Sequence, residues 1–346
     1  MRNFILSSHH FINTLFMVFT LLVPLSVYSK TLIRFATLAP EGTAWMETMH
    51  KMDEELRERT GGEIGFRFYP NMTMGDEKDV IRKIRLGQLQ GAGFTGFGLG
   101  EILPEVRVLE LPYLFRSDEE IEYVRKVLDS YFQKRFEEKG FILLGWADVG
   151  WIYFFSRQPV VRPADLKKIK PWAWQGDPLA EAFFIELGKP PVFLPVTDVH
   201  LALQTGMVEA VYASPLACLA LQWFMRINYV SDVPFTNSLG AVLVSRQLYL
   251  DLSPQHQEAL REIVHRHLIE LLNTSRRQNE EAYLKLQKEG VKVAHSTFDQ
   301  RAEMEAIGLK VHSRLAGQLY PEELLKQVKT ILQDFREKKE QTIESK

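Results

Sequence analysis

The chain has 346 residues, 46% hydrophobic and 25% charged, with 42 basic and 44 acidic side chains for a net charge of -2. That is ordinary globular composition, with length enough for two lobes. The balance of charge excludes the basic footprint expected of a nucleic-acid or acidic-membrane binder.

The first residues read as an export address. Arg2 supplies a positive start, Phe11 to Leu25 is an apolar run ended by Pro24, and Val27-Tyr28-Ser29 places short residues before a cleavage point at Lys30. A membrane span needs about 20 apolar residues, and this run is shorter, with Asn13 and Thr14 inside it. The expectation is a cleavable signal peptide over residues 1–29 and a periplasmic mature protein. No cysteine follows the apolar run directly, so a lipid anchor is not expected. The single cysteine, Cys218, excludes an intramolecular disulfide and sits in an apolar run that fits a buried structural thiol.

Beyond the leader, Thr31 to Ala36 reads as a strand. A helix opens at Pro40-Glu41-Gly42-Thr43 and closes at Thr60-Gly61-Gly62. Glu63 to Tyr69 alternates as a strand, and Asp76 to Leu86 carries Val80, Ile81 and Ile84 at helical spacing before Gly87. The glycine-rich stretch Gly91 to Gly100 fits a strand and loop that let backbone approach something closely. Glu119 to Lys139 reads as a helix and Phe141 to Gly145 as a strand. From Trp151 the pattern restarts: a strand to Phe155, a turn through Pro159 to Pro163, a short strand near Lys170 and a helix from Pro178 to Leu187. Ser253-Pro254 starts a further helix with no proline or glycine until Gly290. Its roughly 36 residues would extend ~54 Å at 1.5 Å per residue, enough to brace two lobes. The residues after Arg336 are charged and predict a frayed tail.

Short strand–helix alternation predicts α/β architecture with parallel pairing. The domain expectation is one lobe from residues 30–149 plus 238–277, a second from 150–237 plus 278–335, and a charged tail at 336–346.

Motifs for catalysis are missing. His265 and His267 are two apart and cannot share a metal on one helix face; no H-E-x-x-H, C-x-x-C or carboxylate cage occurs. The glycine-rich stretch lacks a P-loop lysine, and there is no G-x-S-x-G elbow. The expectation is a binding protein with no cofactor and no metal, not an enzyme.

A family resemblance then emerges. Arg34-Phe35-Ala36, Pro40-Glu41-Gly42-Thr43-Ala44-Trp45, Tyr69-Pro70-Asn71, Met74-Gly75-Asp76-Glu77, Leu111-Pro112-Tyr113-Leu114-Phe115, Pro163-Ala164-Asp165-Leu166-Lys167 and Ala202-Leu203-Gln204-Thr205-Gly206 stand in the order and spacing of DctP-type solute-binding proteins of TRAP transporters. The resemblance covers nearly the whole chain after the leader. It implies a periplasmic binding protein type II-like fold, with two lobes, a hinge and a closing cleft, and partnership with TRAP membrane permease subunits.

The departures bear on the ligand. The family usually places a carboxylate-gripping arginine after the Asp-Leu-Lys segment, and Trp172 stands there. A second arginine position, in Gly150-Trp151-Ile152, falls at Ile152; a polar position after Gln-Thr-Gly falls near Ala213, and an asparagine position in the first strand falls at Leu38. A carboxylate buried against Trp172 and Ile152 would be left unpaired, whereas aromatic walls reward apolar ligand area at ~25 cal/mol per Å². The expectation is a cation-free groove taking a hydrophobic or weakly polar small molecule. The resemblance also reaches a subgroup associated with TPR-repeat proteins that lacks the arginine. Alternatives are an orphan receptor serving a sensor or TPR-type lipid-handling partner, and a receptor holding small organic acids by a non-standard clamp.

Trp172 and Trp174 are read as facing opposite sides of their strand, with Trp172 in the cleft. Ile152 fits a core strand position equally well, and Tyr212 fits either a cleft hydroxyl or a packed hinge residue. Phe94 and Thr95 are candidate walls on the glycine-rich strand. Trp151 and Glu77, within matched segments, complete the candidate ligand-binding set. Arg157 fits a solvated turn better than an anion site.

Overall fold

A computed structural model describes residues 30–344; the expected leader lies outside them. The first lobe is a five-stranded sheet. Strand β1 (Thr31–Thr37) pairs in parallel with β2 (Ile64–Tyr69) and β3 (Gly91–Thr95), and β11 (Gly240–Ser245) runs antiparallel between β3 and β4 (Phe141–Trp146). Helix α1 (Ala44–Arg59) is capped by Thr43, whose side chain accepts from the Met46 N–H. It buries Met46, Met49, Met52 and Leu56, one stripe at helical spacing. Helix α2 (Glu77–Arg85), capped by Asp76, buries Val80, Ile81 and Ile84. Helix α3 (Gly96–Ile102), a 3-10 helix (Pro104–Glu110) and α4 (Asp118–Glu138) complete this side.

The second lobe is built on β5 (Gly150–Ser156), flanked by β10 (Thr236–Ser238), by β8 (Ala210–Ala213) and by β9 (Tyr229–Ser231), with β12 (Lys292–Ala294) beyond β9. A two-stranded parallel sheet, β6 (Trp172–Trp174) with β7 (Val192–Leu194), lies beside it. Helices α5 (Pro163–Leu166), α6 (Pro178–Leu187), α7 (Val199–Thr205) and α8 (Pro215–Ala220) belong to this region, and α9 (Arg246–Asp251) follows β11.

Two chain crossings join the sheets, β4 to β5 and β10 to β11, held together by Ala147 N–H to Gly240 O at 2.7 Å and Val149 N–H to Ser238 O at 3.0 Å. Helix α10 (Pro254–Lys288) runs 35 residues, the bracing length expected. It packs on α1 and β4 of one lobe and on α8 and β5 of the other. Where it passes the crossing, Asn279 donates to Val149 O at 3.1 Å and accepts from the Leu216 N–H at 3.0 Å, tying helix, hinge and second lobe together.

Two chain segments differ from expectation. The glycine-rich stretch is a strand followed directly by a helix, not a strand and loop. Helix α11 (Phe298–Leu315) lies against α6, but α12 (Glu322–Glu344) lies along α4 of the first lobe. Arg336 anchors it, donating to both Glu120 oxygens at 2.7 and 2.9 Å, and Phe335 meets Tyr123. The charged residues after Arg336 are helical through Glu344 rather than a frayed tail, continuing a helix that is docked through Phe335 and Arg336.

Candidate ligand-binding cleft

A cavity of about 270 Å³ opens between the two sheets. Its walls come from the ends of β1 and β3, the crossings, β5, β6, β8 and the first turns of α6 and α8. Of the expected residues, Leu38, Phe94, Thr95, Ile152, Trp172, Tyr212 and Ala213 all reach it. Side chains alternate along a strand, so Ile152 and Phe154 of β5 face the cavity together. Trp151, one position before Ile152, points the other way, and its indole N–H donates to Asp118 at 2.9 Å outside the cleft. Arg157 donates to the Leu203 carbonyl, also away from the cavity.

Trp172 and Trp174 do not part to opposite sides. Residues two apart on a strand share a face, and their rings lie 5.9 Å apart, both lining the cavity. Trp172 stacks on Tyr212 at 4.8 Å, meets Trp223 edge-on at 5.5 Å and donates to Leu194 O at 3.0 Å. Trp174 stacks on Phe97 of the first lobe at 4.5 Å and donates to Asp76 at 2.9 Å. Its backbone N–H donates to the Tyr212 hydroxyl at 3.1 Å. Tyr212 is thus both cleft wall and packed anchor, and burial holds its phenol well above the usual range.

Glu77 stands behind the wall rather than in it. Its carboxylate accepts from the Thr95 N–H at 2.6 Å, the Thr95 hydroxyl at 2.7 Å and the Gly98 N–H at 2.8 Å, organising the start of α3. Burial pushes its pKa up to about 8. Cys218 is fully buried, as its apolar run predicts, and burial raises its thiol.

The cleft is not free of cations. Arg107, in the 3-10 helix after α3, lines it, and both its terminal nitrogens donate to the two oxygens of Asp177 at 2.9 and 3.1 Å. Its Nε lies 2.7 Å from Glu110 in an ion pair without hydrogen-bond alignment. Burial disfavours the charge on Arg107, but Asp177 and Glu110 outweigh it and hold the guanidinium above its ordinary range. Burial raises the Glu110 pKa.

Sequence reasoning missed this cluster. Its signals were a charged residue inside the apolar run Val106-Arg107-Val108-Leu109, and Asp177 directly before Pro178, a helix-start pattern. The glycine-rich stretch makes room for it. A Cβ on Gly96 would stand 1.9 Å from Glu110, on Gly98 2.8 Å from Glu77 and on Gly100 2.8 Å from Arg107. At Gly96 and Gly100 the close approach anticipated for this stretch is thus to buried charged side chains, and at Gly93 it is to the Trp45 ring.

Two α/β lobes, a hinge of crossing strands and an aromatic cavity between them define a solute-binding protein. The chain belongs to bacterial extracellular solute-binding protein family 7 (DctP), whose family model matches residues 35–318. The family is one of binding proteins, not of enzymes. The C4-dicarboxylate-binding periplasmic protein DctP of Rhodobacter capsulatus is 24% identical over 293 residues, 83% of this chain and 87% of its own. An uncharacterised Haemophilus influenzae protein is 31% identical over 188 residues, 51% of this chain; the match spans about half of that relative, 55% of its length. A TRAP periplasmic solute-binding protein of Ralstonia eutropha with bound (S)-2-acetolactate shares the fold. Its TM-score is 0.82 at 18% identity, covering 88% of this chain and 99% of that one.

Proposed function

We propose that the protein is the periplasmic receptor of a TRAP-type transporter, capturing a small molecule of largely apolar surface and delivering it to the membrane permease. Family membership supports the receptor role, and among the described residues no helix is long and apolar enough to cross a membrane. The observation that carries the ligand class is the cavity wall. Trp172, Trp174, Phe154, Phe183, Phe235 and Ile152 surround the space, and each apolar Å² of ligand they cover contributes ~25 cal/mol. Capture works by closure, since wall residues come from both lobes, and release needs a partner that favours the open form.

A second reading has specific support. The Rhodobacter relative is named for C4-dicarboxylates, and the Ralstonia structure holds an acid. With Arg107 in the cleft, this protein would hold a small organic acid if the acid group displaced Asp177. The apolar reading is favoured because that displacement leaves Asp177 buried without its partner. Handover to a TPR-repeat partner belongs to the proposal too, supported only by the arginine-free strand at Trp172.

Native mass spectrometry of protein purified without unfolding tests the choice. An apolar or neutral co-purified compound supports the first reading; a small mono- or dicarboxylate overturns it in favour of the second.

A further inference from the structure

We propose that Asp177 is a built-in counter-ion that occupies the carboxylate-binding edge of Arg107, and that it is the residue by which this cleft rejects small acids. The inference rests on the same cleft being the ligand site.

Among the described residues lining the cavity, Arg107 is the single lysine, arginine or histidine. A guanidinium presents its donors in a rigid fork that matches a carboxylate two-to-two. Here the edge formed by the two terminal nitrogens is filled by both Asp177 oxygens, and the Nε edge faces Glu110 at 2.7 Å. The Arg107, Asp177 and Glu110 side chains are each only 5% exposed. An entering carboxylate therefore finds the two-nitrogen edge of Arg107 already taken, and two carboxylates beside the guanidinium.

Asp177 is held in place independently of Arg107. Its Oδ1 also accepts from the Leu179 N–H at 3.0 Å, capping α6. Gly176, at φ +80°, turns the chain into that cap, and Lys78 of the first lobe packs where a side chain at 176 would stand. Trp174, three residues earlier, makes its own contacts with Phe97 and Asp76 across the cleft. The segment from Trp174 to Asp177 is thus an edge of the cleft that places a carboxylate of the protein on Arg107. An acid ligand must evict Asp177; a neutral ligand leaves the pair intact.

Chemical rescue tests this without knowledge of the natural ligand. The probes are acetate and formate, with chloride at equal ionic strength as control. In Asp177→Ala, acetate is expected to take the vacated place on Arg107. It should raise the thermal midpoint by several degrees at concentrations that leave the parent protein unmoved, with an apparent affinity at least about tenfold tighter than the parent's. Asp177→Asn keeps a capping oxygen at the α6 start and should fold where Ala does not, with a weaker response of the same sign. Adding Arg107→Gln to either variant should abolish the response. Equal acetate responses in parent and variants, or a response that survives loss of Arg107, overturns the proposal. Co-purification decides the apolar-ligand reading separately, so the two can fail independently.

Discussion

Asp177 of the second lobe grips Arg107 of the first through two parallel bonds, 2.9 and 3.1 Å long. The lobes are therefore joined across the cleft by the protein's own ion pair as well as by the stack of Trp174 on Phe97. On the proposed apolar-ligand reading, apolar contact and this internal pair complete cleft closure without a charge from the ligand.

Trp172 is 1% exposed and touches Tyr212, Trp223 and the cavity at once. Trp172→Ala should cost about 3–5 kcal/mol of stability through the hole it leaves. Affinity for the co-purified ligand should fall by more than about tenfold, as expected when an aromatic anchor is lost. Denaturant unfolding and calorimetric titration read the two effects; full affinity in a folded Ala variant would remove Trp172 from the binding wall.

Trp174→Phe keeps an aromatic face for Phe97 but deletes the indole N–H that reaches Asp76 from the other lobe. A hydrogen bond to a charged group contributes roughly 1.5–3 kcal/mol, so ligand affinity should drop about tenfold or more if the bond forms only on closure. Titration of the variant checks this, and unchanged affinity would mean the contact takes no part in closing.

Gly96→Ala would press a Cβ to within 1.9 Å of the buried Glu110 carboxylate. Overpacking of this kind costs typically 1–3 kcal/mol, so unfolding should shift to lower denaturant by about that amount. A variant as stable as the parent would show that Glu110 can move aside freely.

His312 supplies a pH test. It is buried in α11 and hydrogen-bonds the Pro112 carbonyl through Nε2 at 2.8 Å, and burial lowers its pKa from 6.5 to about 4. Between those values the unfolded chain binds the proton and the folded one does not, so stability is full above pH 6.5 and falls as pH drops towards 4. The loss from this residue is on the order of 3 kcal/mol. His312→Gln, which retains a donor for Pro112, should flatten the stability–pH curve in that window relative to the parent. Parallel curves would contradict the assignment.

Much of the architecture was readable from the chain. Helix caps at Thr43, Asp76 and Ser253, and the glycine breaks after the first two helices, are local signals, and the corresponding helices form where they predict. Candidate walls such as Leu38, Ile152 and Ala213 were reached through family resemblance, and the strand geometry brings them together. Trp174 was misassigned by an error of strand period, since positions 172 and 174 share a face. Trp151 failed for the complementary reason, as the neighbour of an inward residue. Arg107 and Asp177 were invisible because they are 70 positions apart in sequence. Only the folded cleft brings their charges together, and no local pattern announces a pair made by residues so far apart. Helix α12 was misplaced likewise, because its docking on α4 depends on Arg336 meeting the distant Glu120.

The most direct measurement is a crystal structure of the protein with the compound it carries from the periplasm. The account predicts that compound packed against Trp172 and the phenylalanines of the wall, with the Arg107–Asp177 pair unbroken beside it. A ligand acid group seated on Arg107, with Asp177 turned away, would contradict it.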